Sequence, residues 1–399
     1  MIDKVIPYGR QNITQEDIAA VVAALQSDYL TQGPKIIEFE AAFAQYVGST
    51  YAVAVANGTA ALHLCTLALD VKDGDKVIIT PITFVASANC VRYCGGEVVF
   101  ADIDPETYLL DINKVKALLE ASPKGTYKGI IPVDFAGRAV DLEAYRKLAD
   151  QYGLWIIEDA CHAPGGAFVD SKNQAQNCGN SNFADLAIFS FHPVKHIACG
   201  EGGMVTTNNP DLYKKLLALR THGITKNESD YTNAVEFANG NDVESTNYPA
   251  WYMEMQTLGF NYRLTDFQAA LGLSQLRRAE EGLARRSTIA KNYYEAFKDK
   301  TFIKGQSGVV EGHVYHLYVI EVEDRLGLYN YLREHKIFAQ IHYIPAHLMP
   351  YYRQFGWKEG DFPYAENYYE GCLSLPMYPT LREEEQHFVI KTINTYYLA

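Results

Sequence analysis

The stretch YAVAVANGTAALHLCTLAL, residues 51–69, decides the fold. It opens as an apolar strand, turns through Asn57, Gly58 and Thr59, and continues as an apolar helix. KVIITPITFVASANCVRYCGG, residues 76–96, repeats strand, turn and helix, and VVFADID follows as a further strand. GIIPVDFAG and LWIIEDA supply two more, separated by the amphipathic segment DLEAYRKLADQYG. Strands that are apolar almost throughout and alternate with helices predict an α/β unit whose sheet is covered on both faces. LAIFSF and GGMVTTN add two strands, the second a candidate for antiparallel pairing.

Working outward, TQEDIAAVVAALQS begins at residue 14 with a Thr cap, acids in the first turn and an apolar stripe, which predicts a helix. KIIEFEAAFAQYVG predicts a second, ended by Gly48. Residues 226–256 break the pattern with polar, acidic and aromatic residues. Loops of that length are uncommon unless they serve a function or move, so the segment reads as an excursion acting as a lid or subunit contact. LTDFQAALGLSQLRRAEEGLARRSTIAKNYYEAFK predicts one extended helix, with Gly282 as the candidate break. HVYHLYVIEV, GLYNYLREHKI, FAQIHYIP and EEEQHFVIKTINTYYL then predict strand, helix, strand, helix. The resulting division is a large α/β domain at 14–256, a linking helix and interface segment at 257–285, and a small C-terminal α/β domain at 286–399. Residues 1–13 are a candidate addition to the small domain.

The chain has 399 residues, 48% of them hydrophobic and 21% charged, the balance of a folded soluble protein. A formal net charge of -13 without a basic run argues against nucleic acid or an anionic membrane as partner. Seven cysteines, an odd number with no CxxC pair, point to reduced thiols rather than a disulfide framework or zinc site, and no metal is expected. No stretch reads as a signal peptide or a membrane span, so the expected location is the cytoplasm.

In open parallel sheets, ligands bind beyond the carboxyl ends of the strands. The residues there are Asn57-Gly58-Thr59, Thr83-Phe84, Asp134, Asp159, His162, Ser190 and Lys195. Lys195, in FSFHPVKHIACGEGG, is either a solvated loop cation or a nucleophile. Gly58 and Thr59 open a helix after a strand, which makes either an anion site or a plain capped turn. Asp159 ends an apolar strand, where a carboxylate needs a partner: a helix terminus, an arginine or a protonated heterocyclic nitrogen. Phe84 is a core residue or a stacking ring, and His162 a structural or a cofactor contact. Ser190 lies five residues before Lys195, within reach of the same anion. An anion cradle, a strand-end Asp, an aromatic ring and an otherwise unexplained lysine are what pyridoxal 5'-phosphate (PLP) needs.

The motifs NGTAAL, PITFVASAN, EDACHAPGG, FSFHPVK, GEGGMVTTN, RTHGI and GFNYRLTDFQAALG, in this order, closely resemble the DegT/DnrJ/EryC1/StrS sugar aminotransferases over almost the full chain. Within that family, LTQGPKIIEFE, VDFAG, DACHAPG and QIHYIP are most similar to the branch that aminates UDP-linked 4-keto-6-deoxy-N-acetylhexosamine for pseudaminic acid. The resemblance implies PLP fold-type-I architecture, with a mixed, mostly parallel sheet in the large domain. It also implies a homodimer with shared active sites, L-glutamate as amino donor and a nucleotide-sugar acceptor. By motif, Lys195 is then the Schiff-base lysine, Asp159 the partner of the cofactor's ring nitrogen, His162 a ring contact and Phe84 the stacking ring. Gly58, Thr59 and Ser190 hold the phosphate, and Asn261 reaches the phosphate in the neighbouring subunit. Ala198-Cys199 departs from the family pattern, which often has Thr there. Two other activities remain as alternatives: a PLP-dependent sugar dehydratase, against which Lys195 argues, and a non-catalytic PLP-binding regulator, which lacks a DNA-reading segment here.

Overall fold

The computed structural model describes residues 5–240 and 245–398, so residues 241–244 of the excursion, 1–4 of the N-terminal addition and Ala399 lie outside the described residues. Seven strands form the central sheet: β1 (Tyr51–Val55), β2 (Lys76–Ile79), β3 (Glu97–Phe100), β4 (Tyr127–Ile131), β5 (Trp155–Asp159), β6 (Leu186–Ser190) and β7 (Gly203–Thr207). Their spatial order is β1-β7-β6-β5-β4-β2-β3. All neighbours pair parallel except β7, which runs antiparallel to both β1 and β6, as GGMVTTN suggested.

The helix Gly58–Ala68, nearly all buried, carries the chain from β1 back across the sheet. The helix Pro34–Val47 begins with Pro and ends at Gly48, whose φ of 84° is the left-handed conformation that closes helices. Its first turn has no side-chain cap of its own; the N–H groups of Gly33 and Lys35 donate instead to the Asp266 carboxylate at 2.8 and 3.0 Å. Phe39 and Phe43 then face Phe189 and Phe191, with ring centroids 4.8–5.4 Å apart across three pairs. Each such buried ring contributes about 1.5–3 kcal/mol. Since strand side chains alternate, burying Phe189 and Phe191 turns Ser190 to the opposite face.

A second core gathers Ile6, Ile289, Tyr293, Phe297, Tyr318, Leu332 and Ile393 around a three-stranded antiparallel sheet. Its strands are β8 (Ile303–Gln306), β9 (Tyr318–Val322) and β10 (Cys372–Leu375). Of the stretch FAQIHYIP, expected to be a strand, only Phe338 lies in one, Ile337–Phe338, which pairs parallel with Ile6–Pro7, while Gln340 makes an isolated bridge to Ser374. β10 completes the sheet instead, at the end of a run that sequence periodicity had not resolved. The two cores are grounds for proposing a smaller C-terminal unit that includes the chain's first strand, although Ala346, Tyr352, Phe362 and Tyr368 pack into the large core.

The expected single long helix is two, Asp266–Leu276 and Ala279–Phe297, and it breaks at Arg277–Arg278 rather than at Gly282. Arg278 leaves helical geometry, with φ -118° and ψ 16°, while its side chain holds the Asp17 carboxylate and the Asn12 carbonyl. A Cβ added at Gly282 would meet nothing closer than Pro379 Cγ at 3.6 Å, ordinary contact, so a side chain is tolerated there. The excursion is likewise tighter than its composition suggested. The buried Glu254 accepts bonds from the backbone of Thr232 and Asn233, from the Thr232 and Tyr252 hydroxyls and from the Gln256 amide, at 2.7–3.0 Å.

One contact sets where β7 meets the first strand–helix turn. A Cβ on Gly203 would stand 2.6 Å from the carbonyl carbon and oxygen of Asn57, so only glycine allows this approach. Gly203→Ala is therefore expected to push the Asn57–Thr59 turn aside and to cost about 1–3 kcal/mol. A lowered midpoint in thermal unfolding, together with weaker PLP binding in a fluorescence titration, is the expected result.

Candidate active site

The turns that follow β1, β5 and β6 open onto one cavity of about 650 Å³, and Gln340, His342 and Tyr343 line it as well. Lys195 reaches it from a short loop whose base is fixed by the Phe191 backbone: Phe191 N–H donates to Gly202 and Phe191 O accepts from Cys199. Its Nζ lies 3.5 Å from His316 Nε2. Burial lowers the lysine's pKa, Cys161 and Asp159 pull it part of the way back, and the Arg286 charge lowers it again. The amine is thus easier to deprotonate than an exposed lysine.

Asp159 is buried at the end of β5. Ser87 Oγ donates to its Oδ2 at 2.7 Å and the Cys161 N–H to its Oδ1 at 3.2 Å. Among the described residues no ion pair involves Asp159, so the arginine considered from sequence is absent and a hydroxyl takes that role. His162 Nδ1 accepts the Ala136 N–H at 3.2 Å, which places the imidazole proton on Nε2, 3.3 Å from the Tyr343 hydroxyl. Burial first, then the charge of Lys195, hold His162 well below its usual pKa, so the ring is neutral.

The Asn57 side chain accepts the Ala60 N–H at 2.8 Å, leaving the N–H groups of Gly58 and Thr59 without intrahelical partners at the cavity. A Cβ on Gly58 would lie 3.1 Å from Ser190 Cβ; glycine is what brings this serine beside the helix N-terminus. Phe84 stands at the cavity with its side chain 58% exposed, its ring 6.2 Å from that of Tyr343. Asn261 does not line this cavity: it is exposed and bridged to Thr221. Asp134, at another strand end, also turns away from it, toward Glu158.

Among the cavity residues given no role from sequence, Ser87, His316, His342 and Tyr343 stand beside the predicted ones. Ser87 lies in the PITFVASAN motif, and only its hydroxyl among buried apolar neighbours marked it. His316, His342 and Tyr343 come from the C-terminal part, and no local pattern aims them at Lys195.

Two orphan N–H groups with a hydroxyl suit a phosphate, a buried carboxylate suits a pyridine nitrogen, and a lysine of lowered pKa suits a carbonyl carbon. This donor set fits PLP and, with the sheet order, defines the class: a PLP-dependent aminotransferase of fold type I. The chain belongs to the DegT/DnrJ/EryC1/StrS aminotransferase family, which it matches over residues 11–394. It is 38% identical over 397 residues to the spore coat polysaccharide biosynthesis protein SpsC of Bacillus subtilis, covering 97% of this chain and 96% of that protein. Helicobacter pylori PseC, an aminotransferase involved in the biosynthesis of pseudoaminic acid, superposes with a TM-score of 0.84 at 29% identity, covering 98% and 99% of the two chains. The PLP-form of the putative sugar aminotransferase Spr1654 from Streptococcus pneumoniae gives 0.84 at 28% identity, covering 98% of each. The protein is a PLP-dependent sugar aminotransferase. Among the described residues no helix is long and apolar enough to cross a membrane.

Beside the cavity lies a buried pair of acids. Asp134 Oδ1 accepts the Val140 N–H and Glu158 Oε2 the Gly179 N–H, while the two carboxyl groups also face each other and the Cys178 thiol. Burial raises Asp134 to about 7, and burial with the Asp134 charge raises Glu158 well above the carboxylate range. The pair therefore holds a proton that the unfolded chain releases above about pH 4, so its contribution to stability falls as pH rises toward 7. Glu158→Gln supplies a permanent N–H donor to Asp134. The variant is expected to gain on the wild type by on the order of 2 kcal/mol between pH 5 and pH 8, read from denaturant unfolding at both values.

Proposed function

We propose that the enzyme transfers an amino group from L-glutamate to C4 of a UDP-linked 4-keto-6-deoxy-N-acetylhexosamine, giving UDP-4-amino-4,6-dideoxy-N-acetyl-beta-L-altrosamine for pseudaminic acid. The observation that carries this is where QIHYIP lies: this stretch, which resembles the pseudaminic branch, supplies Gln340, Ile341, His342, Tyr343 and Ile344 to the cavity wall. The full-length likeness to PseC supports it. The 38% identity to SpsC favours a second reading, an aminotransferase for another UDP- or dTDP-linked 4-keto-6-deoxy sugar. A cytoplasmic location follows from such a substrate.

In this proposal Lys195 bonds covalently to PLP, and Gly58 N–H, Thr59 and Ser190 bind its phosphate. When bound, PLP supplies an electron-accepting ring that stabilises negative charge on the carbon being deprotonated. Asp159 holds a proton at the ring nitrogen by charge pairing, and Ser87 orients that carboxylate. His162, kept neutral, packs by the ring without competing for that charge. Phe84 covers the ring's outer face. The Lys195 amine, its pKa lowered by burial, would be the group that moves a proton at the donor carbon in one half of the reaction and at the sugar carbon in the other. One lysine is nucleophile, base and acid.

Offering UDP- and dTDP-linked 4-keto-6-deoxy sugars with glutamate, and identifying products by NMR, tests the substrate. Amination of the UDP-linked L-altro-series sugar alone at C4 is the expected outcome; turnover of only dTDP sugars, or of another epimer, overturns it. We further propose a homodimer in which Asn261 of each chain reaches its partner's phosphate. A hydrogen bond to a charged group is worth about 1.5–3 kcal/mol, so Asn261→Ala is expected to weaken PLP binding roughly ten- to a hundredfold. Mixing Asn261→Ala with Lys195→Ala subunits leaves one site intact per mixed dimer, and activity is expected to return. Mixed dimers as inactive as their parents defeat the shared-site arrangement.

A further inference from the structure

Lys195 also borders a second, smaller cavity of about 190 Å³, whose wall carries Arg10, Arg278, Arg285 and Arg286. Four arginines therefore border one small cavity in a chain whose formal net charge is -13. Arg278 has a carboxylate partner, Asp17. The other three have none among the described residues. Arg285 donates to the Leu381 carbonyl at 2.7 Å, and Arg10 lies over the Tyr378 ring at 5.9 Å. Arg286, only 2% exposed, donates through Nη1 to the carbonyls of Tyr315, His316 and Met377 at 3.0–3.2 Å.

The one acid on this wall is Glu281. Neutral carbonyls satisfy hydrogen bonds but do not cancel charge, and burial pushes Arg286 down to about 9, still cationic at neutral pH. Of the four, Arg286 is buried, Arg278 and Arg285 are partly exposed and Arg10 is exposed, so the cost of holding a charge away from water falls on Arg286, and an anion in the cavity would offset it. The planar guanidinium fork matches the oxygens of carboxylate and phosphate. The size is also selective: sites for drug-sized ligands begin near 300 Å³, so a nucleotide sugar is too large for this cavity.

We propose that this cavity binds a small oxyanion, a carboxylate or a phosphate, held by Arg10, Arg278, Arg285 and Arg286 next to Lys195. The site stands apart from the choice of sugar. A bound anion there opposes the desolvation of Lys195 and favours the charged form of its nitrogen, so anion binding and the protonation of this residue are coupled.

The test uses the PLP-loaded enzyme, in which the cofactor's own phosphate fills the donors at Gly58 and Thr59. Inorganic phosphate and succinate are titrated separately by calorimetry against wild type, Arg10→Gln, the double variant Arg10→Gln/Arg285→Gln, and Arg333→Gln as a surface control. Binding of either anion to the wild type and the control, weakened at least tenfold in the double variant and partly in Arg10→Gln, is expected; which anion binds identifies the source. The pH midpoint of the cofactor's visible absorbance is also expected to rise with the binding anion, in the wild type but not in the double variant. Should the double variant fold poorly, as an altered absorbance would reveal, the exposed Arg10→Gln alone decides the matter. No binding to the wild type, or equal binding to wild type and Arg10→Gln, overturns the proposal.

Discussion

Taking the Lys195 amine out of water is the constraint from which the rest of the site follows. An ammonium there loses solvation, so the amine gives up its proton more readily than that of an exposed lysine. Holding a lysine in that place requires a rigid base, and two aromatic residues provide it. Phe189 and Phe191 bury themselves against Phe39 and Phe43, fix the end of β6, and leave only Ser190 and the lysine loop facing the cavity. The antiparallel β7 then returns beside β1, and its Gly203 touches the Asn57 backbone at the start of the helix Gly58–Ala68. Packing, chain direction and the turn at Asn57–Thr59 are one arrangement.

Three acids cluster near the carboxyl ends of β4 and β5, and their surroundings divide them. Asp159 takes a serine hydroxyl and a backbone N–H and faces the cavity. Asp134 and Glu158 face each other and keep a proton between them. Full ionisation of all three would place like charges side by side in a dry interior, and desolvation prevents it. The result is that the acid pointing into the cavity is the one whose charge is available to a ligand.

The cationic wall of the smaller cavity and the buried Glu254 of the excursion illustrate the same rule at two other places. Glu254 is buried with five donors converging on it, and beside it the rings of Tyr231, Tyr248 and Tyr252 pack on one another, so polar and aromatic contacts together tie the segment down. The arginines beside Lys195 have carbonyls and a ring as neighbours, and among the described residues three of them have no carboxylate within ion-pair distance. Both features come from side chains that are distant in sequence, and both were invisible to periodicity.

The sequence by itself determined the alternation of strands and helices, because apolar strands and capped amphipathic helices follow local rules of spacing. It also determined which chemical groups end the strands, and Lys195, Asp159, Ser190, Gly58 and Thr59, singled out there, line one cavity. Tertiary structure decided what depends on partners far along the chain. It broke the long helix at Arg278, where Asp17 and Asn12 wait, and left Gly282 inside an unbroken turn. It turned Asp134 away from the cavity and gave Asp159 its hydroxyl partner in Ser87. It also carried His316, His342 and Tyr343 from the C-terminal part to the lysine, which no local pattern announced. The physical reason is the same in each case: hydrogen bonds, charge and desolvation act through space, whereas periodicity records only what each segment does with its own backbone.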